Sequence, residues 1–211
     1  MEMVLSPSIQ FPRSLRSPQV IGRPEIIGFF DGSDQAFCGV VYIRWHLEDE
    51  DDAWHTTLVT SKARVTPGQG TTTPRSELSA LVLLVRLIDT VIMSIELPPI
   101  RVTIMGDSTC VVAACDLNAN ALQPYFSNRV VEVITTMKKW GVQEAWPVEK
   151  ELTHAYVQEE ESKCVVDPIQ HVPGTRNIAD MPTRGNIELE TLNLDTSWQN
   201  GPDFLQDNRK T

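Results

Sequence analysis

Positive charge is scarce in this chain: 18 Lys and Arg stand against 28 Asp and Glu in 211 residues, a formal net charge of −10. Phosphate binding is driven by Lys and Arg, so the balance argues against nonspecific affinity for nucleic acid. Long apolar runs are also missing. No stretch approaches the roughly 18–20 apolar residues that span a bilayer. The opening Met1-Glu2-Met3-Val4-Leu5-Ser6-Pro7 has neither the basic flank nor the apolar core of a secretory signal. An intracellular protein with no membrane partner is expected. Cysteine is sparse too: Cys38, Cys110, Cys115 and Cys164 show no paired metal-ligand spacing, and the four histidines are scattered at 46, 55, 154 and 171. That argues against a zinc site and a disulfide framework, and buried free thiols are expected.

What the chain does have is locally concentrated charge. Glu48-Asp49-Glu50-Asp51-Asp52 and Glu159-Glu160-Glu161 are acidic runs that read as a hairpin tip and a polar insertion. Lys62, Arg64, Arg75, Arg129, Arg176 and Arg184 lie elsewhere, so the acidity weakens a nucleic-acid reading without removing it. Residues 1–24, rich in Pro and Ser, read as a linker or strap. Strands are expected over residues 25–31, 37–45 and 54–63, forming an antiparallel meander. Thr73 and Pro74 are placed as N-cap and first residue of a helix whose Leu78, Leu81, Val82, Val85 and Ile88 share one face. A fourth strand is expected over 100–106, helices over 107–115 and 126–140, a fifth strand over 167–172 and a last helix from 177. These bounds give one domain over 25–185 with a polar insertion at about 141–166, and a connecting tail over 186–211. The fold class is α/β, a mixed sheet flanked by helices, with the fourth strand parallel to the first and beside it.

Four short acidic motifs stand in order on this frame: Phe30-Asp31-Gly32-Ser33, Arg75-Ser76-Glu77-Leu78, Gly106-Asp107-Ser108 and Asn177-Ile178-Ala179-Asp180. Singly each has an ordinary explanation. Asp31-Gly32 is a hairpin-turn signal. Glu77 and Asp180 near helix starts are dipole partners or plain surface acids. Asp107 before Ser108 serves equally well as an N-cap. Jointly they alternate strand, helix, strand, helix, which brings four carboxylates toward the carboxyl ends of two adjacent strands. Clustered carboxylates repel unless divalent cations neutralise them, which points to Mg²⁺ and phosphodiester chemistry.

The same residues resemble the Asp-Glu-Asp-Asp site of the ribonuclease H superfamily, and the wider match is to the ribonuclease H region of Bel/Pao-type LTR retrotransposon polyproteins. Phe11-Pro12-Arg13-Ser14-Leu15, Gly28-Phe29-Phe30-Asp31-Gly32-Ser33, Ser61-Lys62-Ala63-Arg64-Val65-Thr66-Pro67 and Thr73-Pro74-Arg75-Ser76-Glu77-Leu78 are similar to that family's motifs. So are Asp107-Ser108-Thr109, Asn128-Arg129-Val130, His171 through Asp180, and Gly201-Pro202. The resemblance implies a ribonuclease H-like fold with a five-stranded mixed sheet. It implies endonucleolytic hydrolysis of the RNA strand of RNA–DNA hybrids, with Asp31, Glu77, Asp107 and Asp180 holding two Mg²⁺ ions and Mn²⁺ as a substitute. Asp31 would bridge the pair. Reverse transcriptase and integrase regions of the same polyprotein are the implied partners, in a cytoplasmic retroelement particle.

Lys62, Arg75 and Arg129 are candidate phosphate contacts. Two departures from the family stand out. The loop histidine that follows the fifth strand in many ribonucleases H is absent, because Gly174 is followed by Thr175, and His171 is expected on the strand with its ring packed. Thr73 and Pro74 replace the amide side chains that precede the helix glutamate. A non-catalytic connector on the same fold is the competing reading. An aspartic peptidase fits poorly: Asp31-Gly32-Ser33 reverses that catalytic turn, and two further acids would be unexplained.

Overall fold

The computed structural model describes residues 14–16, 19–47, 53–67, 71–142, 163–185, 193 and 195–206. The acidic tip at 48–52, the insertion between 143 and 162, and the first part of the N-terminal strap lie outside these residues. Strands β1 (Val20–Gly32), β2 (Ala36–Leu47) and β3 (Trp54–Val65) form the expected antiparallel meander. β1 starts five residues before the predicted boundary. Its pairing slips between Ile21 and Glu25, where Gly22 takes φ 70° and Pro24 has no N–H to donate, so a bulge carries the strand through residues that would otherwise end it.

Helix α1 (Thr73–Ser94) crosses over to β4 (Arg101–Gly106), which pairs parallel with β1 from Glu25↔Arg101 to Phe30↔Gly106. The cap position of α1 is Thr72 rather than Thr73, and the Thr72 hydroxyl makes no capping bond. Two further helices follow, α2 (Thr109–Asp116) and α3 (Pro124–Val142). The fifth strand predicted over 167–172 holds only β6 (Gln170–His171), and a separate β5 (Val165–Val166) precedes it; both are parallel to β4. Pro168 sits in the gap and cannot donate to the ladder. Asp167 beside it turns its carboxylate to Thr103 and Arg101, each at 2.6 Å. The sheet order is β3-β2-β1-β4-β5, with β6 also on β4.

Alternation along β1 and β2 sends side chains to two buried faces. Ile26, Phe30 and Val41 meet α1, α2 and α3, including Leu81, Leu84, Val111, Val133 and Trp140. Ile27, Phe29, Val40 and Tyr42 face the other way. That second face is closed by α4 (Asp180–Thr183) and by part of the stretch read above as a connecting tail. Within that stretch, α5 (Ser197–Asn200) and a 3-10 turn (Asp203–Leu205) bury Trp198 and Leu205 against the sheet. The Tyr42 hydroxyl donates to the Trp198 carbonyl at 2.9 Å, and Arg44 donates to the Leu205 carbonyl at 3.2 Å. Residues 195–206 therefore belong to the folded body. Among the described residues, no helix is long and apolar enough to cross a membrane. All four cysteines are free, but Cys38 alone is buried and Cys110 is exposed.

Candidate active site

Asp31 is the penultimate residue of β1 and Asp107 follows β4 directly; the strands are parallel with Phe30 opposite Gly106, so the two acids share one edge. Asp31 is buried, in register with Cys38, and takes no part in the hairpin turn. Ser33 makes that turn, its hydroxyl accepting from the Gln35 and Ala36 amides. Asp107 is not the cap of α2 either. The Ser108 hydroxyl accepts from the Val111 amide at 3.2 Å and donates to Glu77 Oε2 at 2.7 Å, so the cap residue also anchors a second acid.

Glu77 lies one residue beyond the first turn of α1, which contains no acid, so its predicted place in that turn is corrected by one residue. What brings it to Asp31 is a close backbone approach. A Cβ built on Gly32 would lie 2.4 Å from the Glu77 nitrogen and 2.5 Å from the Ser76 carbonyl carbon, so only glycine allows strand and helix this close. Thr66 clamps the contact: its hydroxyl donates to the Ser33 carbonyl at 3.1 Å and lies 3.0 Å from the Ser76 hydroxyl. Asp180 opens α4, where Arg184 pairs with its Oδ1 at 2.6 Å. From the same helix the Thr183 hydroxyl reaches Asp31 Oδ2.

The structure thus brings all four predicted acids to one region. Burial pushes the Asp31 carboxyl above the ordinary carboxylate range, and Asp107 and Asp180 push it further, against the Thr183 hydrogen bond that lowers it. Burial likewise raises Glu77, with Asp107 and Asp31 adding to the effect and the Ser108 bond opposing it. Mutual repulsion between carboxylates is the condition a hard divalent cation relieves, and oxygen donors of this kind fit Mg²⁺. Each donor is also engaged by a hydroxyl, amide or guanidinium of its own. Among the described residues, no three His, Cys, Asp or Glu side chains stand close enough to hold one ion. The donor set suits the metal in kind.

Lys62 and Arg129 line one cavity of about 460 Å³ between β3, α1 and α3, together with Arg64, Arg86 and Asn128. Arg75 stands apart from it. Arg75 and Arg129 both lie over the Tyr125 ring, at 4.8 and 3.7 Å from its centroid. His171 is on a strand as expected, paired with Gly106, but it is exposed rather than packed. Sequence reasoning assigned no role to Asn177, Thr183 or Tyr125. Asn177 lay inside a quoted motif, and Thr183, three residues past Asp180, had the spacing of one helical turn.

A family model described as Pao retrotransposon-like RNaseH-like domain matches residues 1–108. Similar solved structures include RNase H1 from the halophilic archaeon Halobacterium salinarum, at 13% identity and TM-score 0.39, covering 77% of this chain and 94% of that one. The N-terminal RNase H domain of a Mycobacterium tuberculosis protein is similar at 12% identity and TM-score 0.42, covering 76% and 94%. LC11-RNase H1, solved in complex with an RNA/DNA hybrid, gives 11% identity, TM-score 0.41 and coverage of 75% and 92%. No curated protein matches the chain.

Proposed function

The chain belongs to the Pao retrotransposon-like RNaseH-like domain family, and from that premise we propose that it hydrolyses the RNA strand of RNA–DNA hybrids endonucleolytically, with Mg²⁺ as cofactor and Mn²⁺ as a substitute. The observation that carries this reading is the placement of buried Asp31 and of Asp107 at the same ends of neighbouring parallel strands, near enough to Glu77 and Asp180 for the carboxylates to repel. Asp31, Glu77, Asp107 and Asp180 would hold the metal. When bound, two such ions supply charge neutralisation at the phosphodiester and a water nucleophile at neutral pH. The protein's own part is to fix the four carboxylates and to orient the hybrid. Lys62 and Arg129, which share a cavity, suit a backbone track, and Arg75 extends the positive surface toward Tyr125. Selection of a hybrid would rest on groove shape and 2′-hydroxyl contacts, with little base readout. In this proposal the domain works in a cytoplasmic retroelement particle beside the reverse transcriptase and integrase regions of its polyprotein.

The Asp180–Arg184 ion pair favours a second reading, a connector in which the acids are retired into internal bonds. Labelled RNA–DNA hybrid, single-stranded RNA and an EDTA control separate the two. Hybrid-specific, EDTA-sensitive cleavage that Asp31→Asn and Asp107→Asn abolish is the result expected of the nuclease. A folded wild type that leaves the hybrid intact in Mg²⁺ and in Mn²⁺, even with a polymerase partner supplied, is a connector.

A further inference from the structure

We infer that Asn177 is a positioning residue of the acidic site: one buried amide fixes Asp107, the end of the strand that carries Asp31, and the turn that presents Asp180. This role rests on the nuclease reading above. Asn177 is 4% exposed and lies between the 3-10 turn at Gly174–Arg176 and α4. Its Nδ2 donates to the Phe30 carbonyl at 2.9 Å and to Asp107 Oδ1 at 3.1 Å, so both amide protons point into the site. Its Oδ1 accepts from the Ala179 amide at 3.2 Å, and its own carbonyl accepts from the Asp180 amide at 3.1 Å.

The bonding capacity of an asparagine explains the choice of residue. An amide carries two donors and an acceptor, and here one side chain engages three separate elements: β1, the β4–α2 junction and the α4 turn. Aspartate has the same shape and no donor. Serine retains an acceptor for the Ala179 amide, as short hydroxyl side chains do in turns, but is too short to reach both Phe30 and Asp107. A neutral donor on Asp107 Oδ1 also orients that carboxylate while leaving its second oxygen uncommitted to Asn177. Partners of this kind, behind the ligands themselves, typically change metal affinity or activity by about 10–100-fold when removed.

The test uses the wild type and the Asn177→Ser, Asn177→Ala and Asp107→Ala variants, alone and combined. Mn²⁺ binding is followed by calorimetry without substrate, and kcat and KM are measured on the hybrid. For Asn177→Ser, Mn²⁺ affinity is expected to fall by about 10-fold or more, with kcat falling and the hybrid KM within about two-fold of wild type. In the Asp107→Ala background, Asn177→Ser should weaken Mn²⁺ binding much less, because residues acting through one another are non-additive. Lower thermal stability with unchanged Mn²⁺ affinity would make Asn177 a structural residue and overturn the inference. Loss of the folded state in both the Ser and the Ala variant would do the same. A wild type that cleaves hybrid and binds Mn²⁺, beside a serine variant that does both equally well, refutes the positioning role alone. A wild type that binds no Mn²⁺ refutes the nuclease reading and the inference with it.

Discussion

Replacing Gly32 by alanine isolates the contact that holds Asp31 beside Glu77. The added methyl would meet the Glu77 nitrogen at 2.4 Å, the Ser76 carbonyl carbon at 2.5 Å and the Glu77 Cα at 2.7 Å. All three are backbone atoms, so no rotamer change relieves the clash. Ordinary contact begins at 3.4 Å, so strand and helix must part by about 1 Å. Neither side yields easily, since β1 pairs on both edges and α1 is anchored by buried Leu78, Leu81, Leu84 and Ile88. Overpacking of this kind costs about 1–3 kcal/mol. An unstrained Gly→Ala change would instead gain about 0.4–1 kcal/mol by restricting the unfolded chain. The steric term is larger, so net destabilisation is expected, with Tm lower by roughly 2–10 °C for a domain of this size. A displacement of about 1 Å between catalytic groups lowers rates on the order of 100-fold. Thermal melts and hybrid cleavage on the same preparation test both halves. A Gly32→Ala variant as stable and as active as wild type would refute the reasoning.

Folding raises the carboxyl pKa of Asp31 and Glu77 above their ordinary 3.8 and 4.5, so the folded state holds more protons and stability falls as pH rises through that window. Each unit of separation is worth about 1.4 kcal/mol. Asp31→Asn should therefore stabilise the metal-free protein at pH 7 and lose that advantage near pH 4. Urea unfolding at both values checks it, and an advantage independent of pH would exclude repulsion as the cause. Arg184→Gln removes the guanidinium that pairs with Asp180. Mn²⁺ should bind about 2–5-fold more tightly, the scale of an exposed ion pair. Calorimetry showing equal or weaker binding would mean that Arg184 does not compete for that carboxylate.

Much of this site was legible because its signals are local. Asp31 and Asp107 each close an apolar run of strand residues, so their shared edge follows once β1 and β4 are parallel neighbours. The one-residue choices were not legible. Asp107 and Ser108 are both good caps, and only the bond from the Val111 amide to the Ser108 hydroxyl decides between them. Glu77 was misplaced by one residue, just enough to put it in the first turn, because Thr72 and Thr73 have similar preferences for a helix start. Pro168 marked the break in the fifth strand, yet the side-chain bonds that fill the gap come from β4. Asn177 and the 195–206 segment depend on partners far along the chain, where periodicity carries no information. Trp198 and Leu205 are too widely spaced to announce a buried face.

The late-arriving cover on the second sheet face sets a timetable for synthesis. Tyr42 and the Trp198 carbonyl that accepts its hydrogen bond are 156 residues apart. At about 5–20 residues per second, translation of that interval takes roughly 8–30 s. For most of it, once β3 has been made, the nascent meander has Phe29, Val40 and Tyr42 but lacks Trp198 and Leu205 to cover them. The face is apolar and belongs to paired strands, a combination that invites association with other nascent chains. Ribosome-stalled chains ending before residue 195 should be captured by chaperones that bind apolar surface, and chains extended past Leu205, with room to clear the exit tunnel, should be released.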